Sequence, residues 1–468
     1  MEDFREERIL LEPVSPTGEF LNNSVLSVSI LAVLEIEIPI TIDISQATSL
    51  VCGVLLPINP RFSSIMVEDS NGNKKWQNVE VKFEDHLNFP NFPFGLSPES
   101  YDKYLDEYLS KMATAKFPQN KPLWEIHIVK YPTSKAAGNI IFKFHHALGD
   151  GYSLMGALLS SLQRAENPSL PLTFPTCQSS KLKRNRSIIH RLPQIFSSIL
   201  YTIPDFGWSL IKSNFLKDDQ SPIRSGNYVG VEFQPTILTT TTFSLDQVKL
   251  IKNKLVATIN DVICGIIFFG ARLYMQEINE ESTNSNCTAI VLLNTRMFMD
   301  YASVNEMMKP DSKTPWGNRF AFLHIPIPKF RNDQFSNPLD IVRYAQKVIG
   351  RKRKSLSVYL NGRLLEMVKK FKGYEAAAEL MYNTVTNASM VISNMIGPVE
   401  QMALANHPVK GLYFSLGGTP EDLNISIVSY MGKLSVTFGT KEGHIDLQKF
   451  KSCIEQAFDT IFKAAQNS

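Results

Sequence analysis

Two adjacent histidines and an aspartate, His145, His146 and Asp150, are the residues whose types and spacing best suit chemistry in this chain. Imidazole has an unperturbed pKa close to neutral pH, so a histidine can accept a proton and return it within one reaction cycle. An acid four residues further on can fix a turn or orient a ring. A structural histidine pair or two metal ligands remain open from spacing alone, but zinc usually needs a third nearby ligand, and no other His or Cys is close in the sequence.

The histidines stand where a predicted strand meets a predicted helix. Residues 138–145 alternate with the period of two that is typical of a β-strand. Gly149 and Gly151 bracket Asp150 and permit a tight turn, and apolar residues at helical spacing follow. If the pleat of the strand continues, His145 and His146 point to opposite faces, so only one of them can face a given cavity.

The length and composition of the chain limit the classes of protein to which it can belong. A chain of 468 residues favours two domains, and a net charge of +3 argues against general nucleic-acid binding. The five cysteines are widely spaced and form no CxxC pair, which argues against a disulfide framework or zinc ribbon and favours a reducing compartment. The charged N-terminus does not resemble a signal peptide.

The remaining chain alternates strand-like and helix-like patterns, which predicts a layered α/β fold. The apolar run 25–40 contains Glu35 and Glu37 and is interpreted as a buried strand. Residues 124–129 predict a strand that pairs with the one leading to His146. Thr258 is a candidate N-cap of an apolar helix, with Asn260 and Asp261 in its first turn. A helix-capping role alone would account for the presence of Asp261 at this position.

Residues 167–229 differ in character from the flanking regions. Residues 167–186 are rich in Pro, Ser and basic residues, including Lys181, Lys183, Arg184 and Arg186, and indicate a linker. Residues 188–216 are apolar, but prolines and charges interrupt the roughly 20 residues that a bilayer span needs. A helix lying at a membrane interface and a crossover helix packed on protein are equally favoured, and a transmembrane helix less so.

Several segments together resemble one family. HHALGDG matches the HHxxxDG signature of the CoA-dependent acyltransferase superfamily. Read with it, EPVSPTGEFLN, LSVSILAVLEIEIPI, PINPRFSSIMV, NKPLWE, TINDVICGIIFFGARLY and SNMIGPVE resemble, in this order, the plant wax ester synthase/diacylglycerol O-acyltransferase family. The likeness spans nearly the whole chain. The signature alone is shared with other acyltransferases and with peptide-synthetase condensation domains, so the accompanying segments select the family.

The resemblance implies a mixed α/β fold of two chloramphenicol-acetyltransferase-like domains with the active-site tunnel between them. Residues 1–178 would form the N-terminal domain, 179–229 a crossover linker and 230–468 the C-terminal domain. By motif position His146 is the general base, His145 supports it, Asp150 orients the turn and Gly151 belongs to the turn. The remaining site candidates are Asn394, Ser393, Asn260 and Asp261 for the oxyanion or substrate, and Arg296 as the ion-pair partner of Asp150.

The implied activity is transfer of a long-chain acyl group from acyl-CoA, as a substrate, to a fatty alcohol, diacylglycerol or both, without a cofactor or a metal. The implied surroundings are a membrane surface and no nucleic acid, at the endoplasmic reticulum membrane or also the plasma membrane, with the active site facing the cytosol. The alternatives are a soluble acyltransferase of small hydroxyl or amine acceptors, like the plant BAHD enzymes, and a non-catalytic lipid-binding protein. The preferred acceptor and the acyl chain length stay open.

Overall fold

Two large β-sheets, flanked by helices, form the two halves of the molecule. The computed structural model describes residues 12–23, 26–70, 72–173, 188–226, 234–296, 304–309, 311–312, 314–329 and 337–467. The basic cluster at 181–186 therefore lies outside the described residues. The alternation of strands and helices confirms the predicted α/β class.

The strands are β1 Glu12–Pro13, β2 Ser29–Ile36, β3 Ser64–Glu68, β4 Lys74–Asn78, β5 Leu87–Asn88, β6 Trp124–Val129, β7 Gly138–His145, β8 Gln163–Arg164, β9 Thr236–Ser244, β10 Cys287–Asn294, β11 Phe320–Ile327, β12 Met390–Ile396, β13 Met402–Leu404, β14 His407–Gly417, β15 Leu423–Tyr430 and β16 Lys433–Lys441.

The helices are α1 Pro16–Phe20, α2 Ile44–Leu50, α3 Leu56–Ile58, α4 Pro98–Thr114, α5 Gly151–Ser160, α6 Ile188–Asn214, α7 Leu245–Leu255, α8 Ile259–Ile278, α9 Val304–Met307, α10 Leu339–Lys354, α11 Ser357–Lys372, α12 Tyr374–Thr386 and α13 Leu447–Gln466. A π-helical turn, Val51–Leu55, joins α2 to α3.

The N-terminal sheet has the strand order β5-β6-β7-β2-β14-β13-β8. The apolar run is its central strand, β2, as predicted, and β7 pairs antiparallel with both β2 and β6. Trp124 lies opposite Phe144 in that register. Because β7 has a strand on each side, its end at His145 is held firmly in place.

Strands from the C-terminal half complete this N-terminal sheet. β14 pairs antiparallel with β2, and β13 pairs with β8. The sheet therefore draws strands from both sides of residue 230. The proposed domain limits stay a prediction, and these crossing strands tie the two halves together by backbone hydrogen bonds.

Helices cover both faces of the N-terminal sheet. On one face the apolar side chains of α5 and of residues 44–58 pack against Phe142 and Phe144. On the other face α4 packs Tyr101, Leu105 and Leu109 against alternate residues of the same strands. Both faces of β2 and β7 are therefore apolar, which explains why the run 25–40 lacks a clean alternation.

The C-terminal sheet has the order β11-β10-β12-β15-β16-β9. α7, α8, α10 and α13 pack on one face of it and form the largest apolar core. α8 begins with the predicted cap: the Thr258 hydroxyl accepts from the Asp261 backbone N–H, and the Asp261 carboxylate accepts from the Thr258 backbone N–H. Asp261 thus satisfies backbone donors at the helix start.

The apolar segment after the linker is one helix, α6, which continues past Pro193 and Pro204. In the described part of the chain no single helix is long and apolar enough to span a membrane. α7 and α8 are long and apolar enough for a span only when they are taken together, by length and composition alone, and a bend of 100° separates them.

Candidate active site

The ring of His146 is held by the side chain of Asn318. The Asn318 Nδ2 donates to the backbone carbonyl oxygen of His146 at 2.9 Å, and Asn318 Oδ1 lies 3.0 Å from His146 Nδ1. Because a carbonyl oxygen can only accept, the amide nitrogen must face it, and the amide oxygen then accepts the Nδ1 proton of the ring. This arrangement places the proton of a neutral His146 on Nδ1 and leaves Nε2 with a lone pair.

His145 has a different set of partners, on the other side of the strand end. Its Nδ1 accepts from the Ala147 backbone N–H at 3.1 Å, so Nε2 carries the proton and donates to the Ser27 hydroxyl at 3.2 Å. Both ring nitrogens are therefore engaged. As the pleat predicted, the two adjacent histidines face different surroundings, and of this pair only His146 keeps a nitrogen without a hydrogen-bond partner among the described residues.

Burial keeps both rings neutral. It lowers the pKa of His146 below its usual 6.5, although the Asp150 carboxylate and Asn318 act in the opposite direction. Burial also lowers the pKa of His145, and together with the nearby charges of His146 and Lys143 it brings this pKa to about 3. A neutral imidazole at neutral pH is the form that can act as a base.

Asp150 fixes the turn and makes no direct contact with the His146 ring among the described contacts. Its carboxylate accepts from the Ser153 backbone N–H, which caps α5, and from the Arg319 backbone N–H. Arg296 donates to both carboxylate oxygens, at 2.7 and 3.0 Å. The suggested Asp150–Arg296 pair is thus present, and it is buried: the Arg296 side chain is 1 % exposed.

The segment 316–319 joins the two halves at the catalytic turn. Trp316 donates to the Leu148 carbonyl, Gly317 exchanges hydrogen bonds with the Ser153 hydroxyl, and Asn318 and Arg319 contact His146 and Asp150. Gly317 adopts φ +118°, a conformation that favours glycine. The sequence analysis did not single out WGNRF, residues 316–320. The WGN triplet, aromatic, glycine and amide before a strand, was the available signal.

The other candidate residues separate into two groups. Asn394 donates to the Asn260 side chain at 3.3 Å, on the side of β12 that faces α8, where Asp261 serves as a cap. Among the described contacts none of these three reaches His146. Ser393 lies on the opposite face of β12, together with Met395, because side chains alternate along a strand. An alanine-like Cβ on Gly151 would lie 2.5 Å from the Met395 sulfur, so this face meets the catalytic turn.

The assembled site can move one proton at one atom, Nε2 of His146. It presents a neutral imidazole of fixed tautomer beside a turn that a buried ion pair and a helix cap hold rigid. In the part of the chain that the structure describes, no group of three or more His, Cys, Asp or Glu side chains is placed to hold a metal ion.

Solved structures share this two-lobed fold. A wax ester synthase/diacylglycerol acyltransferase from Marinobacter aquaeolei VT8 aligns with a TM-score of 0.59 and 14% identity, over 97% of this chain and 100% of that one. The starter condensation domain of rhizomide synthetase RzmA, solved with C8-CoA, aligns with a TM-score of 0.57 and 10% identity, over 97% and 94% of the two chains. The fold is therefore that of the acyltransferases and condensation domains.

Sequence comparison identifies the family within that class. Residues 94–263 match the wax ester synthase/diacylglycerol acyltransferase catalytic domain, and residues 316–462 match the WS/DGAT C-terminal domain. Wax ester synthase/diacylglycerol acyltransferase 4 of Arabidopsis thaliana is 31% identical over 81% of this chain and 76% of its own. Wax ester synthase/diacylglycerol acyltransferase 11 is 28% identical over 92% and 90%. The chain belongs to this family and is an acyl-CoA-dependent acyltransferase.

Proposed function

We propose that this enzyme transfers a long-chain acyl group from acyl-CoA to the hydroxyl of a fatty alcohol or of diacylglycerol, with His146 as the general base. The observation that carries the proposal is the Asn318 amide, which fixes the tautomer of a buried, neutral His146 and leaves Nε2 free to take a proton. The names of the relatives support both acceptors. Neither a metal nor a resident cofactor is needed for this chemistry.

The reaction proceeds by direct transfer in this proposal. His146 Nε2 removes the alcohol proton as the oxygen attacks the thioester carbonyl, and a carbon–oxygen bond forms. When the tetrahedral intermediate collapses, the carbon–sulfur bond breaks and the imidazolium returns its proton to the departing thiolate. Proton transfer by one positioned group contributes about 10²–10⁴ in rate. Ser393, on the face of β12 that meets the turn, is the preferred oxyanion donor, because Asn394 is engaged with Asn260.

The purified chain should form an ester from palmitoyl-CoA with hexadecanol or with dioleoylglycerol, and release one CoA for each ester. Thin-layer chromatography of the lipid product and thiol titration of CoA measure the two quantities independently. A phenolic alcohol and an amine serve as comparison acceptors. Turnover restricted to those soluble acceptors would point to the alternative class, and no turnover with any acceptor would favour a lipid-binding protein.

We further propose that α6 and α11 seat the enzyme on a membrane, because the polarity of α6 is inverted relative to a usual surface helix. Its polar residues Thr202, Asp205, Ser209 and Lys212 are buried, whereas Ile203 is 74% exposed, and Phe215, directly after the end of the helix, is 81% exposed. A surface helix of a soluble protein directs its apolar stripe to the core. A helix that directs its apolar side chains outward, as α6 does, fits an apolar environment such as the membrane.

The buried polar residues of α6 are matched by partners on the C-terminal half. The Leu356 backbone N–H donates to Thr202, Arg351 donates to Asp205 at 2.7 Å, and the Asn361 amide donates to Ser209 at 2.9 Å. These contacts hold the helix in one orientation. One face of α6 therefore packs on protein, and the interfacial interpretation concerns the opposite face.

α11 extends the apolar face, since it packs against α6. It exposes Tyr359, Leu360, Met367 and Phe371, and its last turn carries the exposed Lys370 and Lys372. Apolar side chains beside lysines suit an interface with anionic headgroups. Exposed apolar side chains of the two helices, together with Phe215 directly after α6, are called the α6–α11 surface below; they are Tyr201, Ile203, Trp208, Ile211, Phe215, Tyr359, Leu360, Met367 and Phe371.

Vesicle flotation tests the α6–α11 surface. The Ile203→Ser, Phe215→Ser, Phe371→Ser variant should lose binding to phosphatidylcholine vesicles that contain phosphatidylserine. It should also lose turnover of vesicle-embedded dioleoylglycerol while it keeps turnover of decanol in detergent. Phe94→Ser is the matched control, because Phe94 is 84% exposed but lies outside the α6–α11 surface. Flotation of the triple variant at the wild-type level would refute the membrane proposal.

For the location in the cell we propose the endoplasmic reticulum membrane, with the plasma membrane as a second site and the active site facing the cytosol. The four described cysteines, Cys52, Cys264, Cys287 and Cys453, are free thiols, which suits a reducing compartment. Fluorescence microscopy with organelle markers, combined with protease accessibility in intact microsomes, checks both the membrane and the side. Full protection of the chain from added protease would place the site in the lumen instead.

A further inference from the structure

A row of four hydroxyl side chains crosses the C-terminal sheet at one level. In the strand register, Ser393 of β12 lies opposite Ser426 of β15. Ser426 lies opposite Thr437 of β16, which in turn lies opposite Thr240 of β9. Residues that are paired in register point to the same face of a sheet. The four side chains, called the hydroxyl row below, therefore stand next to one another on one face.

The hydroxyl row faces the N-terminal half of the molecule. Val428, two residues after Ser426, shares its face and lies opposite Met395. Both Val428 and Met395 pack in the apolar core between α5 and the N-terminal sheet. A Cβ on Gly151 would lie 2.5 Å from the Met395 sulfur. The row is therefore about 7 Å along the strands from the point where β12 meets the catalytic turn.

The hydroxyl row divides into a matched pair and an unmatched serine. The hydroxyls of Thr437 and Thr240 lie 3.2 Å apart and form a hydrogen bond. The Ser426 hydroxyl is buried, with the residue 1% exposed, and has no hydrogen-bond partner in the part of the chain that the structure describes. The matched pair stands on the two strands further from β12. The unmatched hydroxyl stands beside Ser393, the preferred oxyanion donor.

A buried hydroxyl without a partner reduces the stability of a protein. Alanine at position 426 would avoid this cost, so the folded chain alone gives no reason for a serine there. A hydroxyl is, however, a donor for an oxygen of a bound substrate. In acyl transfer the oxygen that gains negative charge is the thioester carbonyl oxygen, and donors aimed at it stabilise the transition state.

We propose that Ser426 is a second oxyanion donor, which acts together with Ser393. As the alcohol oxygen bonds to the carbonyl carbon, an electron pair of the C=O bond moves to the carbonyl oxygen, and both hydroxyls donate hydrogen bonds to it. The pair returns when the carbon–sulfur bond breaks. Neither serine gives up its proton, since His146 carries the proton from the alcohol to the thiolate. The inference rests on the proposed general-base function.

The spacing of the two serines suits a shared oxygen. Neighbouring strands lie about 4.8 Å apart, and a hydroxyl donates to an oxygen at about 2.8 Å. One oxygen placed between the two side chains is therefore within reach of both. Ser393 is half-buried, which leaves its side of the pair open to a substrate, whereas Ser426 is covered and fixed.

Ser426→Ala is the principal variant. We expect kcat to fall about 10²-fold with KM for palmitoyl-CoA unchanged, because this hydrogen bond strengthens only as charge develops on the oxygen. The melting temperature should stay the same or rise, because no partner loses a hydrogen bond. Steady-state kinetics and thermal melting measure both quantities. A variant that keeps the wild-type kcat, or one that fails to fold, would overturn the proposal.

Thr437→Val is the matched control from the next strand of the hydroxyl row. It keeps the shape of the side chain but removes the hydrogen bond to Thr240. This variant should melt at a lower temperature and keep its kcat, which is the opposite of the result expected for Ser426→Ala. An equal loss of kcat in both variants would show that the packing of the sheet, rather than a donor at position 426, supports turnover.

A series of acceptors tests which oxygen the Ser426 hydroxyl contacts. Every acceptor attacks the same thioester carbonyl, so Ser426→Ala should lower kcat by the same factor with decanol, hexadecanol and dioleoylglycerol. A loss confined to one acceptor would place the hydroxyl on that acceptor and overturn the oxyanion role. A wild-type chain without acyl transfer would overturn the proposed function and this inference with it. An active wild type whose Ser426→Ala variant is equally active would overturn this inference alone.

Discussion

The catalytic turn and the helix α6, which carries part of the α6–α11 surface, both bury polar side chains. The burial has a different consequence in each region. In the turn, residues 145–151, buried polar groups are matched by hydrogen bonds so that one nitrogen of His146 remains available for chemistry. In α6, Asp205 and Ser209 are buried with hydrogen-bond partners on neighbouring helices, and apolar side chains face outward. The comparison shows that buried polarity need not mark a reactive centre.

The largest effect should come from His146→Ala, which removes the unmatched nitrogen. We expect kcat/KM to fall by about 10²–10⁴ with little change in melting temperature. His127→Ala is the control, because His127 is also buried on a neighbouring strand but binds Tyr108 and Glu125. That variant should lose stability and keep turnover. Steady-state kinetics and thermal melting of both variants test this prediction. Normal turnover without His146 would contradict its assignment as the general base.

The next effect concerns the ion pair that holds the turn. Arg296→Ala leaves the Asp150 carboxylate buried without its partner, which should cost about 3–5 kcal/mol of unfolding free energy. Arg343→Ala breaks an exposed pair with Asp340 and should cost about 0–1 kcal/mol. Urea unfolding compares the two variants. Similar losses would mean that the buried pair does not stabilise the turn more than a surface pair does.

A smaller effect should follow from changes at Asn318, which orients the base. Burial lowers the pKa of His146, so the acid limb of the wild-type kcat/KM profile should lie at a lower pH than an unperturbed imidazole would give. Asn318→Ala should lower kcat/KM about tenfold, which corresponds to one hydrogen bond. Asn318→Asp places a carboxylate beside the ring, favours the imidazolium and should move the acid limb of the profile to higher pH. A merely structural residue would leave the limb in place.

The smallest effect should be that of Phe215, an outward-facing residue directly after the end of α6, on stability. Phe215→Ser should change the unfolding free energy by less than about 0.5 kcal/mol in detergent-free buffer. Asp205→Ala should lower the unfolding free energy by clearly more, because it leaves the buried Lys352 without the carboxylate of Asp205. In an ordinary amphipathic helix the order of these two losses is reversed. Urea denaturation of the two variants therefore tests the inverted polarity directly.

The local elements of the fold were within reach of sequence reasoning. The strand before His145, the helix after Asp150 and the Thr258 cap all follow from short-range patterns, and the structure contains each of them. The pairing of β14 with β2 did not follow. Residues 407–417 alternate in a way that suits either sheet, and their distance from β2 in the chain leaves the partner undetermined.

The candidate active site also divides into features that the sequence predicted and features that it did not. HHALGDG could be located from residue types, and resemblance suggested Arg296 as the partner of Asp150. Asn318 was missed because an amide before a strand has many ordinary roles, and only proximity shows that it binds His146. Asn260 and Asn394 contact each other away from the described contacts of the base, since strand alternation turns Asn394 towards α8.

By itself the sequence determined which residues could exchange a proton and the α/β class of the fold, because both depend on side-chain types and on periods of a few residues. Only the tertiary structure decided which histidine keeps a free nitrogen, which amide fixes its tautomer and which face of α6 is exposed. These depend on contacts between residues far apart in the chain: Asn318 lies 172 positions from His146, and no local pattern encodes that distance.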